Sequence, residues 1–230
     1  MSYAALPDAA EVENKLRSIT FWPEGGDDDP QVLRAKSQTG IAAAAAADEW
    51  EHETGFYPFV SPAGAPDEAR TFYPDRDRFA RAGVLPLHSG LLRLSSVTVD
   101  GVAVDMTKVR QKPDHAHAHR RPVQWLQFPW LYPRLRRGVW PLEITVVGRW
   151  GYCAAEDGVP ADVFSTVLDR ATLITLLGVE NPRDISNLSQ DGFNIAWDPV
   201  GPLDPKTILA NLGKQFEKVA HKYKRLVVAG

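Results

Sequence analysis

Thr145–Val163 reads TVVGRWGYCAAEDGVPADV, and how this stretch folds decides the architecture of the chain. The β-branched run at its start predicts a strand, which extends over Leu142–Trp150. Gly148 and Gly151 flank Trp150, so Gly148, Trp150, Gly151 and Tyr152 are expected to form a structural turn. The acidic Glu156-Asp157-Gly158 stretch resets the chain, and Pro160 suits the first position of a helix. Val163, Val167, Ala171, Ile174 and Leu177 recur on one helical face, and Gly178 is placed to end that helix. Cys153 is the single cysteine. A nucleophilic role would need His88 or His221 as base, and no motif supports it. A cysteine beside Tyr152 at a strand end reads instead as a small buried hydrophobe.

Upstream, Asp8 caps an expected helix over Ala9–Ile19, with Val12, Leu16 and Ile19 at helical spacing. Asp29-Pro30 reads as cap and first residue of a second helix that runs to Thr54, with Gly55 as its stop. Its alanine run, Ala42–Ala47, favours helix and allows close packing. Residues 56–90 read mostly as loop, with one short strand near Thr71–Tyr73. Val97 and Val99, the Asp100-Gly101 turn, and Val102 and Val104 predict a β-hairpin. Residues 107–141 form a long Pro-, Arg- and Trp-rich excursion, of a length that is usually functional or ordered by a partner. Downstream, Gly192–Pro199 reads as a strand. Asp204-Pro205 opens a last helix with Ile208, Leu212, Phe216, Val219 and Tyr223 on one face and Lys214, Lys218, Lys222 and Arg225 on another. A short extended tail, Leu226–Gly230, follows.

At 230 residues the chain fits one extended domain or two small ones. Its composition, 44% hydrophobic and 24% charged, is that of a water-soluble chain with a core. No apolar run approaches the roughly 20 residues that span a bilayer. The opening MSYAALPDAAEVE has neither a basic start nor an apolar stretch, so no secretory signal is expected there. One cysteine cannot form an intrachain disulfide, which fits a reducing compartment. The net charge of −3 is unevenly spread. Residues 1–55 hold eleven acids against four bases, residues 107–150 nine bases against two acids, and residues 203–225 six bases against two acids. Such opposed patches favour docking between protein faces, including between copies of one protein. Of the seven tryptophans, Trp125, Trp130, Trp140 and Trp150 fall within 26 residues, where core and interface roles are equally open.

Two stretches carry residue types suited to chemistry. His115, His117 and His119 alternate and would share a face of an extended segment, as metal ligands do. The acid, Asp114, precedes them, unlike the order in binuclear zinc hydrolases, and no H-E-x-x-H is present. Arg120, Arg121, Trp125, Trp130, Arg134, Arg136 and Arg137 interleave cations with aromatic rings, a pattern suited to single-stranded nucleic acid. The overall negative charge argues against that use. No P-loop, G-x-G-x-x-G or G-x-S-x-G occurs. The chain is therefore expected to be no enzyme and to need no cofactor.

Taken in order, an Ala-rich helix ending in Thr54-Gly55-Phe56, the hairpin Val97, Val99, Asp100 and Gly101, and the run Val146, Gly148, Trp150, Gly151, Tyr152, Val159 and Pro160 resemble the head-to-tail connector (adaptor, or head-completion) family of tailed bacteriophages. The resemblance covers about Asp8–Leu177, and residues 107–141 exceed the family's usual hairpin. It implies an α+β fold: a helical-bundle body, small antiparallel β-hairpin or sheet protrusions, and a C-terminal helix with an extended tail. The organisation it suggests is an adaptor core over residues 1–178 and a partner-docking extension over residues 179–230. It implies a virion neck protein, assembled in the bacterial host cytoplasm, that forms a ring of about twelve copies beneath the portal. Its partners would be itself, the portal, a downstream tail protein and double-stranded DNA in transit, with no membrane. Lys214, Lys218, Lys222, Tyr223, Arg225, Leu226, Val227 and Val228 are the implied portal-docking residues. Arg120, Arg121, Trp125, Trp130, Arg134, Arg136 and Arg137 are the implied tail contacts.

Overall fold

The computed structural model describes residues 3–18, 22–23, 25–74, 79, 83–114, 116, 121–130, 142–179, 188–190, 193–195 and 205–224. The fold is α+β, and the chain divides into two compact units. One comprises residues 1–53 and 160–223, the other residues 54–159 and 224–230. The helix at residues 205–223 thus belongs with the first three helices, because it packs on the third of them.

Among the described residues, the first unit holds four helices: α1 (Ala9–Ser18), α2 (Pro30–Thr54, its last residue at the unit boundary), α3 (Ala161–Val179) and α4 (Pro205–Tyr223). Asp8 and Glu11 close a reciprocal cap on α1. The Asp8 carboxylate accepts from the backbone N–H of Ala10 and Glu11, and Glu11 accepts from the N–H of Asp8. Asp29 caps α2 by accepting from the Gln31 N–H at 2.8 Å. Gly55, at φ +76°, ends it. Val12, Leu16, Val32, Ala42, Ala43, Ala46, Trp50, Val163, Val167 and Ala171 are buried. Trp50 meets Phe216 of α4 edge-on at 5.6 Å between ring centroids. Arg170 of α3 grips Glu49 of α2 through two bonds of 2.7 and 2.8 Å, and Lys15 of α1 pairs with Asp169 of α3. A two-stranded antiparallel ribbon, β9 (Leu188–Gln190) and β10 (Phe193–Ile195), lies between α3 and α4 in sequence.

The second unit is built on an antiparallel sheet. Its strands are β2 (Glu68–Phe72), β3 (Val84–Val99), β4 (Val102–Ala103), β5 (Arg110–Lys112), β6 (Val123–Gln127) and β7 (Ile144–Trp150). Spatial order is β2-β7-β3-β6-β5, with β4 turned back on β3. Strands β1 (Val60–Ser61) and β8 (Cys153–Ala154) form a separate parallel pair. The expected hairpin is present: Val99 pairs with Val102, while Asp100 and Gly101 take φ of +50° and +76°. Strand β7 alternates as expected, with Ile144, Val146 and Trp150 in the core beside Leu91, Val97, Leu126 and Phe128.

Two stretches expected as loop carry strands. Within residues 56–90, β2 overlaps the one short strand expected near Thr71–Tyr73, and β1 and the first half of β3 are formed besides. Pro86 and Gly90 read as breakers, but Leu85, Leu87 and Leu91 around them are buried. Pro86 sits where β3 pairs with β6, and pairing with β7 begins only at Leu91. A strand with one side unpaired tolerates a missing N–H. Within residues 107–141, β5 and β6 pair through Gln111 and Leu126. Their polar composition hid them, because only Val123 and Leu126 of β6 are fully buried. Residues 117–120 and 131–141 of that excursion lie outside the described residues, as do most of Gly192–Pro199 and the tail from Arg225.

Candidate functional site around the Gly148–Tyr152 strand end

Trp150 ends β7 on the core face and is 3% exposed. Its indole N–H donates to the Glu68 carbonyl at 2.9 Å. Phe72 lies 6.0 Å from its ring, and the Arg70 guanidinium covers its face at 4.6 Å. Arg70 in turn is held by Glu68 and by the Tyr57 carbonyl. The ring is thus sealed by its neighbours, which makes Trp150 a packing element.

The two glycines act by close approach. Gly148 lies inside β7, paired with Glu68 and Leu94, rather than in a turn. The register of β3 against β7 shifts between Leu91 and Arg93 and again between Leu94 and Ser96. The shifted strand brings the Arg93 carbonyl to 2.2 Å from where a Cβ at Gly148 would sit, so no side chain fits. Gly151 turns the chain at φ +144°, a region that disfavours L side chains. Its N–H donates to the Gly90 carbonyl at 2.8 Å. A Cβ on Gly90 would meet the Gly151 carbonyl at 2.5 Å and the Phe56 ring at 2.8 Å.

Tyr152 then stacks on Phe59 at 4.8 Å and meets Phe56 edge-on at 5.2 Å. The backbone N–H groups of Tyr152 and Cys153 both donate to the Phe59 carbonyl. The motif piece after α2 and the motif piece after β7, about ninety residues apart, therefore form one joint. Arg149 binds the joint from the other face of β7. It donates to the Ser61 hydroxyl at 2.9 Å, the Pro62 carbonyl at 2.7 Å and both oxygens of Glu156. The fork geometry suits a carboxylate. These bonds from Arg149 hold the Glu156 carboxyl down at about 2. Burial pushes the Cys153 thiol up to about 12, with Asp157 adding to the effect. A thiol so held is protonated at neutral pH and is no nucleophile.

The other sequence-derived candidates are scattered. On α4, Lys214 and Lys218 are exposed. Lys222 and Tyr223 are engaged within the helical unit, each 2.7 Å from the Asp162 carboxylate at the start of α3. Burial alone would raise the Asp162 carboxyl, but the bonds from Lys222 and Tyr223 hold it below its ordinary value. Arg121 is exposed. Trp125 lies within β6 opposite Lys112 and Pro86, and Trp130 packs against the core of the sheet. His115, His117, His119, Arg120, Arg134, Arg136, Arg137, Arg225, Leu226, Val227 and Val228 lie outside the described residues. Among the described residues, no three His, Cys, Asp or Glu side chains gather as a metal site would require, and no helix is long and apolar enough to cross a membrane.

Sequence reasoning missed Arg149, Glu156, Phe59 and Asp162. Arg149 carried a signal, since a charged residue between Gly148 and Trp150 at a strand end needs a partner. The acidic turn seven residues later supplies it.

No protein-family model matches the chain, and no curated protein matches it. Among solved structures, the chain is similar to one in the neck of an empty gene transfer agent particle, described as "Neck of empty GTA particle computed with C6 symmetry". The two are 15% identical, with a TM-score of 0.49, over 100% of this chain and 97% of that one.

Proposed function

We propose that the chain is a non-enzymatic head-to-tail adaptor that forms a ring beneath the portal of a tailed phage-like particle. One observation carries this reading. The motif pieces that resemble the adaptor family, Thr54-Gly55-Phe56 and Gly148–Tyr152, converge on a single joint built from glycines, aromatic rings and a neutralised arginine. The joint offers no activated nucleophile, so its residue pattern serves architecture.

The finer assignments follow from where charge and apolar surface remain available. Lys222 and Tyr223 anchor the end of α4, so portal docking narrows to the tail, Arg225, Leu226, Val227 and Val228. The sequence Leu226-Val227-Val228 is apolar and mostly β-branched, which suits addition as a strand to a sheet edge of a partner. Contact with a downstream tail component falls to Arg121 and the rest of the 107–141 excursion. Base stacking receives no support from Trp130, which packs on the core.

Co-sedimentation of the chain with its portal rings tests the proposal. The full chain is expected to sediment with the portal, and a chain ending at Lys224 to stay in the supernatant. Failure of the full chain to bind, or salt-dependent binding of single-stranded DNA in its place, would overturn it.

A further inference from the structure

Helix α2 carries an exposed stripe that its own unit leaves uncovered. Leu33 is 53% and Ile41 67% exposed, and Ser37, Ala44, Ala45 and Asp48 continue the same face. The spacing is that of one helical face, running about 22 Å at 1.5 Å per residue. Two large apolar side chains, with Ser37 between them and Ala44 and Ala45 beyond Ile41, present a surface on which another helix can lie closely. At about 100° per residue, Ile41 points some 180° away from Trp50, the residue that α2 turns toward α4. On α4, Lys214 and Lys218 flank the buried Phe216 and point the opposite way, at about 200° from it. The two surfaces therefore lie on opposite sides of the helical unit.

Their chemistry is complementary. Neither Lys214 nor Lys218 has an ion-pair partner among the described residues, and the same holds for Asp48. Asp48 stands six residues before the C-terminal end of α2, with half-buried Glu51 three residues on and exposed His52 four residues on as its neighbours on the helix surface. Arg34 lies at the far end of the stripe and leaves the Asp48 end acidic. Lysine stems are apolar for four carbons and lie well over alanine and isoleucine while their ammonium groups reach outward.

Building on the ring reading above, we infer that the α2 stripe of one copy receives the Lys214/Lys218 face of α4 from the next copy. The contact joins two different faces of the same unit, so it is heterologous and propagates head to tail, as a closed ring requires. It assigns Lys214 and Lys218 to contact between copies and leaves the tail to the portal.

Mass photometry of two variants tests the assignment, with thermal melts to confirm that both fold. Ile41→Asp spoils the stripe and keeps the lysine face. Lys214→Glu with Lys218→Glu spoils the lysine face and keeps the stripe. Each alone is expected to be monomeric under conditions where the wild-type chain forms rings. Mixed in equal amounts, they retain one matched pair of faces and are expected to give dimers but no ring. Rings formed by either variant alone, or no dimer in the mixture, would overturn the surface assignment and leave the ring reading standing. Wild-type chain that stays monomeric both alone and with its portal would overturn both.

Discussion

Replacing Trp150 with alanine should be among the most damaging single changes to the sheet unit. The indole is 3% exposed, and its removal leaves a cavity between Phe72, Arg70 and the strand end. Deleting a buried aromatic of this size costs about 3–5 kcal/mol. The Glu68 carbonyl loses its donor, which adds about 1 kcal/mol. The Arg70 contact adds a further ~0.5 kcal/mol because Arg70 is partly solvated. The sum is comparable with the whole stability of an ordinary domain, about 5–15 kcal/mol. Urea denaturation followed by far-ultraviolet circular dichroism measures the loss. Because the chain has two compact units, amide hydrogen exchange at β7 assigns the shifted transition to the sheet. Trp150→Phe keeps most of the ring but not the N–H, and should lose about 1–2 kcal/mol. A Trp150→Ala chain that unfolds within about 1 kcal/mol of wild type would refute the packing role given to this residue.

Gly148→Ala should disorder or strongly destabilise β7, because its Cβ would meet the Arg93 carbonyl, whereas Gly26→Ala, in open space, should melt like wild type. Cys153 should resist thiol reagents at neutral pH in the native state and react at once in urea, as titration with a chromogenic disulfide would show. Glu156 has a folded-state value of about 2 against an ordinary 4.5, so its contribution is complete above that ordinary value and is lost as pH falls toward 2. Acid melts of Glu156→Gln should therefore lie below wild type at pH 6 and converge with it near pH 2. Asp162→Ala should speed hydrogen exchange over the last turn of α4, since Lys222 and Tyr223 lose their shared acceptor.

Local chemistry wrote the helices plainly into the sequence. Asp8, Asp29 and Gly55 mark ends that the caps and the positive φ at Gly55 reproduce. The Asp100-Gly101 turn likewise forces its hairpin through backbone conformation alone. The first half of β3 was hidden because Pro86 and Gly90 signal breaks locally, while the partners that make them acceptable, β6 and the Gly151 carbonyl, come from residues far along the chain. Gly148 looks like a turn residue in the sequence for the same reason. What demands glycine there is the shifted Arg93 carbonyl of another strand, which no window around Gly148 contains. Within the joint, Trp150 and Tyr152 were legible as aromatic fillers, but the tie from Arg149 to Glu156 and Ser61 depends on the fold.

The most direct test of the adaptor reading is cryo-electron microscopy of the chain incubated with its cognate portal. The account predicts closed rings of this chain seated coaxially on the portal, with neighbouring copies meeting through α2 and α4. Portal particles without added density, beside free monomers of this chain, would contradict it.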